Sequence, residues 1–290
     1  MPKMISIYRK EMLAYLTHMM GYVFMAFLLL ILGIWFSIGN IMSRTANFQM
    51  ALSSTTMFFF ILIPVLTMRL FSEEARQKTD QLLFTSPLSV MQIVLGKFFA
   101  AVSLFLLATG ISVILPLMIN HYADLPVRQV AGAYVGFVLL GAACIAVGVF
   151  LSVLTDNQII AAVLTVAAVF VMFVMEFVAV MMPTTPLASF VYVVIVVAAV
   201  IAVWYNATRH IVATLIFAAV AVAIAGGLYL FNNLIYDGII VRSLLWLSVF
   251  SRFDNFLSGI LHLSDIVYYI SFSALFVYLT ANVIEKRRWR

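Results

Sequence analysis

The chain has 290 residues, of which 66% are hydrophobic and only 9% are charged. A soluble surface needs a much larger share of charged side chains, so this composition excludes a water-soluble enzyme and a disordered tail. The single cysteine, Cys144, excludes an intramolecular disulfide scaffold and a cysteine-rich metal site. Long apolar stretches separate the charged residues, which is typical of transmembrane helices and not of a barrel of short alternating strands.

The apolar stretches are long enough to cross a bilayer, which takes about 20 residues of helix. Eight spans are predicted, over residues 21–40, 52–68, 98–119, 130–154, 159–182, 187–205, 211–231 and 266–284. The fifth and sixth are separated by Pro183 and Pro186, which end one helix and let the chain turn back. The predicted fold class is therefore all-α, a polytopic transmembrane bundle forming a single domain over residues 1–290.

The basic residues divide unequally between the two sides of this topology. Of the 16 Lys and Arg residues, only Arg44, Arg128, Arg242 and Arg252 fall on the side away from the termini. Because short cytoplasmic loops are enriched in Lys and Arg, both termini are predicted to be cytoplasmic, as an even number of spans requires.

Residues 1–20 predict an amphipathic helix in the cytoplasmic interface. Its apolar face is predicted to comprise Ile5, Tyr8, Met12, Leu16 and Met19. Ile7 and Leu13 interrupt this pattern. The alternative is an ordinary positively flanked start to the first span.

The stretch between the second and third spans, residues 70–90, predicts a compact charged helix and turn. Ser72 is placed to cap a helix whose first turn holds Glu73 and Glu74, where carboxylates favour the positive helix end. Glu74 is one turn from Lys78, a spacing that allows an ion pair. Ser89 and Gln92 have the spacing of a capping box that begins the next helix. The alternative is a solvated loop that only satisfies the charge rule.

The long connection at 232–265 contains an apolar run too short to cross a bilayer. It predicts one or two short helices dipping into the outer leaflet, with a simple interfacial anchor as the alternative. In the fourth span, Gly132 and Gly136 form a GxxxG pair that favours close helix contact.

Few residues are candidates for a catalytic, metal-binding or transport site. The segment from Gly96 to Phe98 lacks the glycine and hydroxyl of a phosphate-binding loop, and the four histidines are too scattered to ligate a metal, so neither a catalytic nor a metal site is predicted. Glu176 is the one acidic residue deep in a span. It is either a pathway residue or a carboxyl hydrogen-bonded to a neighbouring helix or reaching the headgroups.

From Glu73 to Lys97 and from Phe250 to Arg290 the sequence resembles permease subunits of ABC type-2 transporters, and most closely those associated with gliding motility. The resemblance implies a multi-pass exporter subunit of the bacterial inner membrane. It implies pairing with a second permease copy or a related permease, and docking of a separate ABC ATPase that binds ATP and magnesium. It also allows an extracytoplasmic auxiliary protein as a partner. Membrane lipid would surround the chain, and no nucleic acid is expected to bind. The usual member has six spans, so spans six and seven are the extra pair.

By position, the resemblance assigns roles to the segments outside the spans. Residues 1–20 would be a connecting helix, with Arg9, Lys10 and Glu11 as its charged residues. Residues 70–90 would be the coupling helix, contacting the ATPase through Glu73, Glu74, Arg76, Lys78 and Asp80. Residues 232–265 would hold the extracytoplasmic gate helices. The chain itself would carry no cofactor.

Two other classes stay open from the residues alone. An ion-driven secondary transporter would be expected to show internal repeats and several ionisable groups at mid-membrane. A non-transporting anchor or assembly subunit would use the cytoplasmic helix only for docking.

Overall fold

The computed structural model of the chain describes residues 2–78, 89–122, 124–208 and 233–288, together with the isolated residues 217, 226, 227 and 229. Within these ranges the chain is helical and contains no β-strand, which confirms the all-α prediction. The helices are α1 (Pro2–Thr17), α2 (Met19–Phe36, extended by a π-helical turn over Ser37–Met42), α3 (Phe48–Thr56), α4 (Phe59–Thr67), α5 (Ser72–Arg76), α6 (Val90–Ser112), α7 (Ile114–Tyr122), α8 (Val127–Leu154), α9 (Gln158–Met181), α10 (Pro186–Thr208), a 3-10 turn (Asn233–Tyr236), α11 (Ile239–Leu247), α12 (Phe253–Leu257) and α13 (Leu263–Arg288).

Five spans among the described residues are long and apolar enough to cross a membrane. They are α2 with its π-helical turn, α6 continued into α7, α8, α9 and α13. The bent pair α3 and α4 makes a sixth if counted as one span, and α10 contains a shorter apolar stretch, Pro186–Ala199. The predicted seventh span, 211–231, lies almost wholly outside the described residues. The count of eight therefore stays a prediction.

The second span is broken, whereas the sequence predicted one continuous helix over 52–68. α3 and α4 meet at an angle of 63°. The Thr55 and Thr56 hydroxyls donate to carbonyls of their own helix, and Phe58 N–H bonds the Thr55 carbonyl three residues back. Hydroxyls that bond the helix backbone bend it, which accounts for the break.

The chain divides into two compact units, residues 1–173 with 249–290 and residues 174–248. In the first unit α8 is the most buried span and packs against α13, α12, α4 and α6. The rings of Phe59, Phe105 and Phe137 meet at its centre, with centroids 5.1–5.8 Å apart. Gly141 leaves the space that the Phe105 ring fills. Aromatic packing of this kind fixes how α4, α6 and α8 meet.

The predicted glycine contact in the fourth span is present inside the same chain. A Cβ built on Gly136 would lie 2.5 Å from the Phe256 Cβ, and one on Gly132 would lie 3.1 Å from the Phe256 carbonyl oxygen. The short helix α12 is therefore seated on α8 where the glycines leave room for it. This contact needs backbone without side chains on the α8 face.

The predicted boundary signals hold at two helix starts. Ser89 and Gln92 form the predicted capping box at the start of α6, which makes that helix begin at Val90, eight residues before the predicted span. Pro186 occupies the first position of α10. Proline suits that position because its missing N–H would have no partner there.

In the second unit, the 3-10 turn and α11 pack against α10. Ser243 on α11 donates to the Tyr192 hydroxyl at 3.2 Å, and Gly238 N–H bonds the Thr184 carbonyl at 3.1 Å. Gly238 has φ +67°, a left-handed conformation that glycine adopts without strain. The long connection thus contains the predicted short helices, α11 here and α12 in the first unit.

Candidate functional site

Lys97 is a cation buried near the start of α6, with only 1% of its surface exposed. Its Nζ lies 2.9 Å from Glu11 Oε1 and 2.9 Å from Glu74 Oε1, and it donates to the Leu70 carbonyl at 2.6 Å. The Phe71 ring lies beneath it, 5.0 Å from Nζ to the centroid. A buried ammonium is tolerated only when its charge is compensated and its protons are bound, and these contacts do both.

The carboxylates that reach Lys97 come from two helices outside the spans. Glu11 belongs to α1 and Glu74 belongs to α5, the short helix after the second span. Lys10 on α1 lies 3.7 Å from the same Glu74 carboxylate. Lys97 therefore joins the N-terminal helix, the charged helix after span two and the third span. We call Lys97, Glu11 and Glu74 the coupling junction.

α1 lies along α6 because of a close steric fit. The Ile7 side chain enters the notch left by Gly96, where a Cβ would lie 2.9 Å from Ile7 Cγ2. Beside Ile7, the Tyr8 hydroxyl donates to Ser103, two turns after Gly96 on α6, at 3.0 Å. Ile7 is buried and Ile5 is 56% exposed. Ile7, which interrupts the predicted pattern, thus faces α6, whereas Tyr8, Met12 and Leu16 of the predicted apolar face are half-buried and Ile5 and Met19 are exposed.

Tyr15 holds the other end of α1 to the second span. Its hydroxyl donates to the Leu66 carbonyl at 2.8 Å. Burial, aided by the negative charge of Glu11, raises the pKa of the Tyr15 phenol well above its usual range. The phenol therefore stays protonated and keeps donating this bond across the physiological range.

The start of α5 is fixed to the end of α8. The Ser152 hydroxyl lies 3.1 Å from Phe71 N and 3.3 Å from Ser72 N, and accepts from both N–H groups. These are two of the amides that a helix start leaves without an internal partner. α5 is therefore anchored through Ser152 as well as through the coupling junction.

A second ion pair lies within α5 and the turn before it. Arg69 contacts Glu73 through two bonds, Nε to Oε2 at 2.6 Å and Nη2 to Oε1 at 2.9 Å. The hydrogen bond from Arg69 holds the pKa of Glu73 below its usual range, and the same bond raises the pKa of Arg69. A two-bond guanidinium–carboxylate pair fixes orientation as well as charge.

Two local predictions for this segment were wrong. Ser72 does not cap α5, because its hydroxyl donates to the Met68 carbonyl and the N-cap position belongs to Phe71. The predicted pair of Glu74 with Lys78 required one continuous helix, but α5 ends at Arg76 and Lys78 adopts φ +57°. Glu74 instead points toward Lys97.

The residues predicted from the resemblance divide into an inward and an outward set. Glu73, Glu74 and Glu11 are half-buried in ion pairs of the chain itself, whereas Arg76, Lys78, Arg9 and Lys10 are exposed. Asp80 and the other residues at 79–88 of the predicted coupling helix lie outside the described residues. Glu176 is half-buried on α9 in the second unit and is not part of the coupling junction.

Lys97 was missed by sequence reasoning. No site role was predicted for it: the segment from Gly96 to Phe98 is excluded as a phosphate-binding loop, and Lys97 otherwise ends the stretch that carries the resemblance. A signal was present, because a lysine two turns inside an apolar helix needs carboxylates nearby, and Glu11 and Glu74 are among the few available.

A second buried ion pair lies at the other end of the first unit. Arg252 Nη1 donates to Asp265 Oδ1 at 2.8 Å and stacks on the Tyr268 ring, 3.9 Å from its centroid. Asn255 donates to the other Asp265 oxygen at 2.8 Å. Within the described ranges, no three metal-ligating side chains come together as a cation site.

Comparison with known protein families identifies the family of this chain. Residues 37–227 match the family model described as ABC-2 family transporter protein, which is more than half of the chain. The chain belongs to the ABC-2 transporter family. As an ABC-2 permease it is a multi-pass membrane component of a transporter, which confirms the family-level resemblance. A search among curated proteins gave no match to it.

The family match covers only part of the coupling junction. Lys97 and Glu74 of this ABC-2 permease lie inside the matched range, whereas Glu11 on α1 precedes it. The range likewise ends before α11, α12 and α13. The match does not distinguish gliding-motility permeases from other ABC-2 permeases, so that narrower resemblance stays an expectation.

Proposed function

We propose that this ABC-2 permease is the membrane subunit of an ATP-driven exporter and receives force from a separate ATPase through α5. The observation that carries the proposal is the buried Lys97 with carboxylates from α1 and α5. An element that must transmit displacement has to be held firmly to the helices it moves. Three charged groups and the Ser152 anchor supply that attachment for α5.

The proposed docking surface is the exposed end of α5. Arg76 and Lys78 are exposed, while Glu73 and Glu74 are engaged by Arg69 and Lys97. The ATPase is therefore proposed to contact Arg76, Lys78 and Asp80 directly, whereas Glu73 and Glu74 pass the displacement inward. This assigns different tasks to residues that the resemblance grouped together.

In the proposed cycle, the ATPase binds ATP and magnesium, and its closure moves α5. Because α5, α1 and α6 share Lys97, they would move as a rigid body and repack the permease interface. The short helices of 232–265 are proposed to form the extracytoplasmic gate. Two permease chains, identical or related, would enclose the path, and Glu176 is a candidate pathway residue.

The helix ends support the proposed cytoplasmic termini and an even number of spans. Arg287 at the end of α13 pairs with Asp156 at the α8–α9 turn at 3.3 Å, and Ser152 beside that turn holds α5. Both termini of the first unit thus reach the end that carries the coupling junction. With that end cytoplasmic, an even number of crossings must separate α9 from α13, and α10 with predicted span 211–231 supplies two. We place the chain in the bacterial inner membrane.

Docking is tested by reversing the exposed charges and measuring complex formation. Arg76→Glu with Lys78→Glu should release the ATPase from the purified permease. The control is Arg128→Glu, an exposed reversal at the predicted opposite side. Retention of the ATPase by the Arg76 and Lys78 variant would remove this docking surface.

Transmission is tested separately. Glu74→Gln should leave the ATPase bound but lower substrate-stimulated ATP hydrolysis, since the link from α5 to Lys97 is weakened. A non-transporting anchor would show no substrate stimulation even in the wild type. Export as opposed to uptake is read from cargo movement in inverted vesicles, where an exporter accumulates cargo inside.

A further inference from the structure

A cavity of about 650 Å³ opens beside the coupling junction. Its walls come from α1, the start of α2, the end of α4, the turn that follows it, α5 and α6. The charged and polar part of the wall comprises Lys10, Glu11, Arg69, Glu73, Glu74, Gln77 and Lys97, with Tyr15 and His18 toward α2. A volume of this size is in the range that holds a small organic molecule.

The opposite part of the wall is apolar. It is formed by Ala14 of α1, Met20 of α2, and Val65 and Leu66 of α4. Met20 is the second residue of the first span, and Val65 and Leu66 are near the last turn of the second. The cavity therefore lies where two spans leave the hydrocarbon, the level occupied by lipid headgroups. A wall with one charged and one apolar side suits an amphiphile.

The acidic and basic side chains of the wall are equal in number among the described residues that line it. Lys10, Arg69 and Lys97 oppose Glu11, Glu73 and Glu74. An anionic ligand would therefore meet as many carboxylates as cations. A ligand carrying both charges can turn its anion toward the cations and its cation toward the carboxylates.

We propose that this cavity binds the headgroup of a zwitterionic aminophospholipid of the phosphatidylethanolamine type. The phosphate would face Lys10, whose side chain is 68% exposed, and His18 at the start of α2. The ammonium would face Glu11 and Glu73. Each of these carboxylates already holds a cation, but a carboxylate can accept about four hydrogen bonds and so retains capacity. The acyl chains would leave past Met20 and Val65.

This site goes beyond carrying force or cargo. A lipid bound here touches α1, α4 and α5 together, and its headgroup fills the space beside the coupling junction. The lipid would thus be a structural ligand of the permease that holds α5 against α1. Its binding does not depend on which cargo the transporter moves.

The proposal is tested by lipid binding to the purified full-length chain in detergent. The probe is dihexanoyl phosphatidylethanolamine, with dihexanoyl phosphatidylglycerol and free phosphoethanolamine as comparison arms, measured by native mass spectrometry. Ala14→Phe should fill the cavity and weaken phosphatidylethanolamine binding about tenfold or more. Leu13→Phe adds the same ring to the exposed side of α1 and should leave binding unchanged.

A second pair of variants tests the same site without adding a large side chain to the cavity. Lys10→Ala removes one exposed cation and should weaken binding about threefold. Arg9→Ala removes an exposed cation of the same helix that does not line the cavity, and binding should be unaffected. If Ala14→Phe unfolds at a lower temperature than Leu13→Phe without lipid, the Lys10 and Arg9 pair alone decides.

Four results would overturn the proposal. The first is equal binding by the wild type and by Lys10→Ala or a folded Ala14→Phe. The second is equal binding of phosphatidylglycerol, because the charge match would then be wrong. The third is equal binding of free phosphoethanolamine, which would make the ligand a soluble phosphoamine. The fourth is expulsion of the lipid when the ATPase binds, which would make the cavity part of the protein interface.

Discussion

The charged atoms of Lys97 on α6 and Glu11 on α1 lie 2.9 Å apart, although 86 residues separate them along the chain. α1 precedes the first span and α6 contains the third, so this pair fixes an interfacial helix to a membrane helix. Glu74 reaches the same ammonium from α5. Lys97 thus joins the N-terminal helix to α5, so a movement of α5 would involve both.

Removing the lysine should destabilise the chain more than removing all three charges. Lys97→Met leaves two partly buried carboxylates facing an apolar group, at an expected cost of about 2–4 kcal/mol. The triple variant Lys97→Met, Glu11→Gln and Glu74→Gln should recover most of that loss because no uncompensated charge remains. Thermal unfolding of each variant in the same detergent measures the order of their stabilities. A triple variant no more stable than Lys97→Met would show that the loss does not come from uncompensated carboxylates.

Acid should remove the contribution of the Arg69–Glu73 pair. The pKa of Glu73 is lower in the folded chain than its ordinary value of 4.5, because Arg69 bonds its ionised form. The unfolded state therefore takes up protons first, and the stabilisation is complete above 4.5 and disappears as the pH falls through the folded pKa. The pair is partly exposed, so a contribution of at most about 1 kcal/mol is expected.

The measurement for this pair compares the wild type with Glu73→Gln. Their difference in unfolding temperature should be constant from pH 7 to 5 and shrink below pH 4.5. Other carboxylates titrate in the same range, but they do so in both proteins and cancel in the difference. A gap that persists unchanged at pH 3 would contradict an ionic origin.

Filling the space where α12 packs against Gly136 of α8 should destabilise the chain and loosen α12. In Gly136→Ala the new methyl would overlap the Phe256 Cβ and ring, and overpacking of this kind costs about 1–3 kcal/mol. Gly33→Ala in α2 is the matched control, since its Cβ would meet nothing within 4 Å. That control should be neutral or slightly stabilising, because alanine favours helix over glycine. Thermal unfolding and protease cleavage near α12 measure the two effects.

The proposed sidedness is testable with single cysteines. Cys144 is buried, so Cys144→Ala gives a background without thiols. In that background, Arg9→Cys should react with a membrane-impermeant maleimide only in inverted vesicles, and Arg128→Cys only from the outside of intact cells. Both residues are exposed. Labelling of both from the same side would overturn the odd number of crossings proposed between these two residues.

The pathway role of Glu176 is separable from a packing role. Glu176→Gln keeps the size and hydrogen-bonding capacity of the side chain but removes its charge. A pathway residue should change cargo transport while unfolding temperature stays the same, whereas Glu176→Ala should lower that temperature if the side chain is only a packing partner. Normal transport by Glu176→Gln would assign Glu176 to structure.

The sequence by itself determined the membrane class, the helical fold and many of the helix boundaries. Apolar runs of about 20 residues allow only helix or closed barrel in hydrocarbon, and local signals such as the Ser89–Gln92 box act within one turn. The charge pattern around Glu73 also predicted a short charged helix after the second span, which the structure shows as α5. These features depend on neighbours in the chain, so they can be found without the fold.

The tertiary structure alone decided which charges meet. Whether Glu74 pairs with Lys78 or with Lys97 depends on where α5 ends and on how α1 packs along α6 at Gly96. The bend between α3 and α4 and the inward side of α1 follow from the same packing. A buried ammonium takes the carboxylates that the fold brings to it, and sequence distance carries no record of that approach.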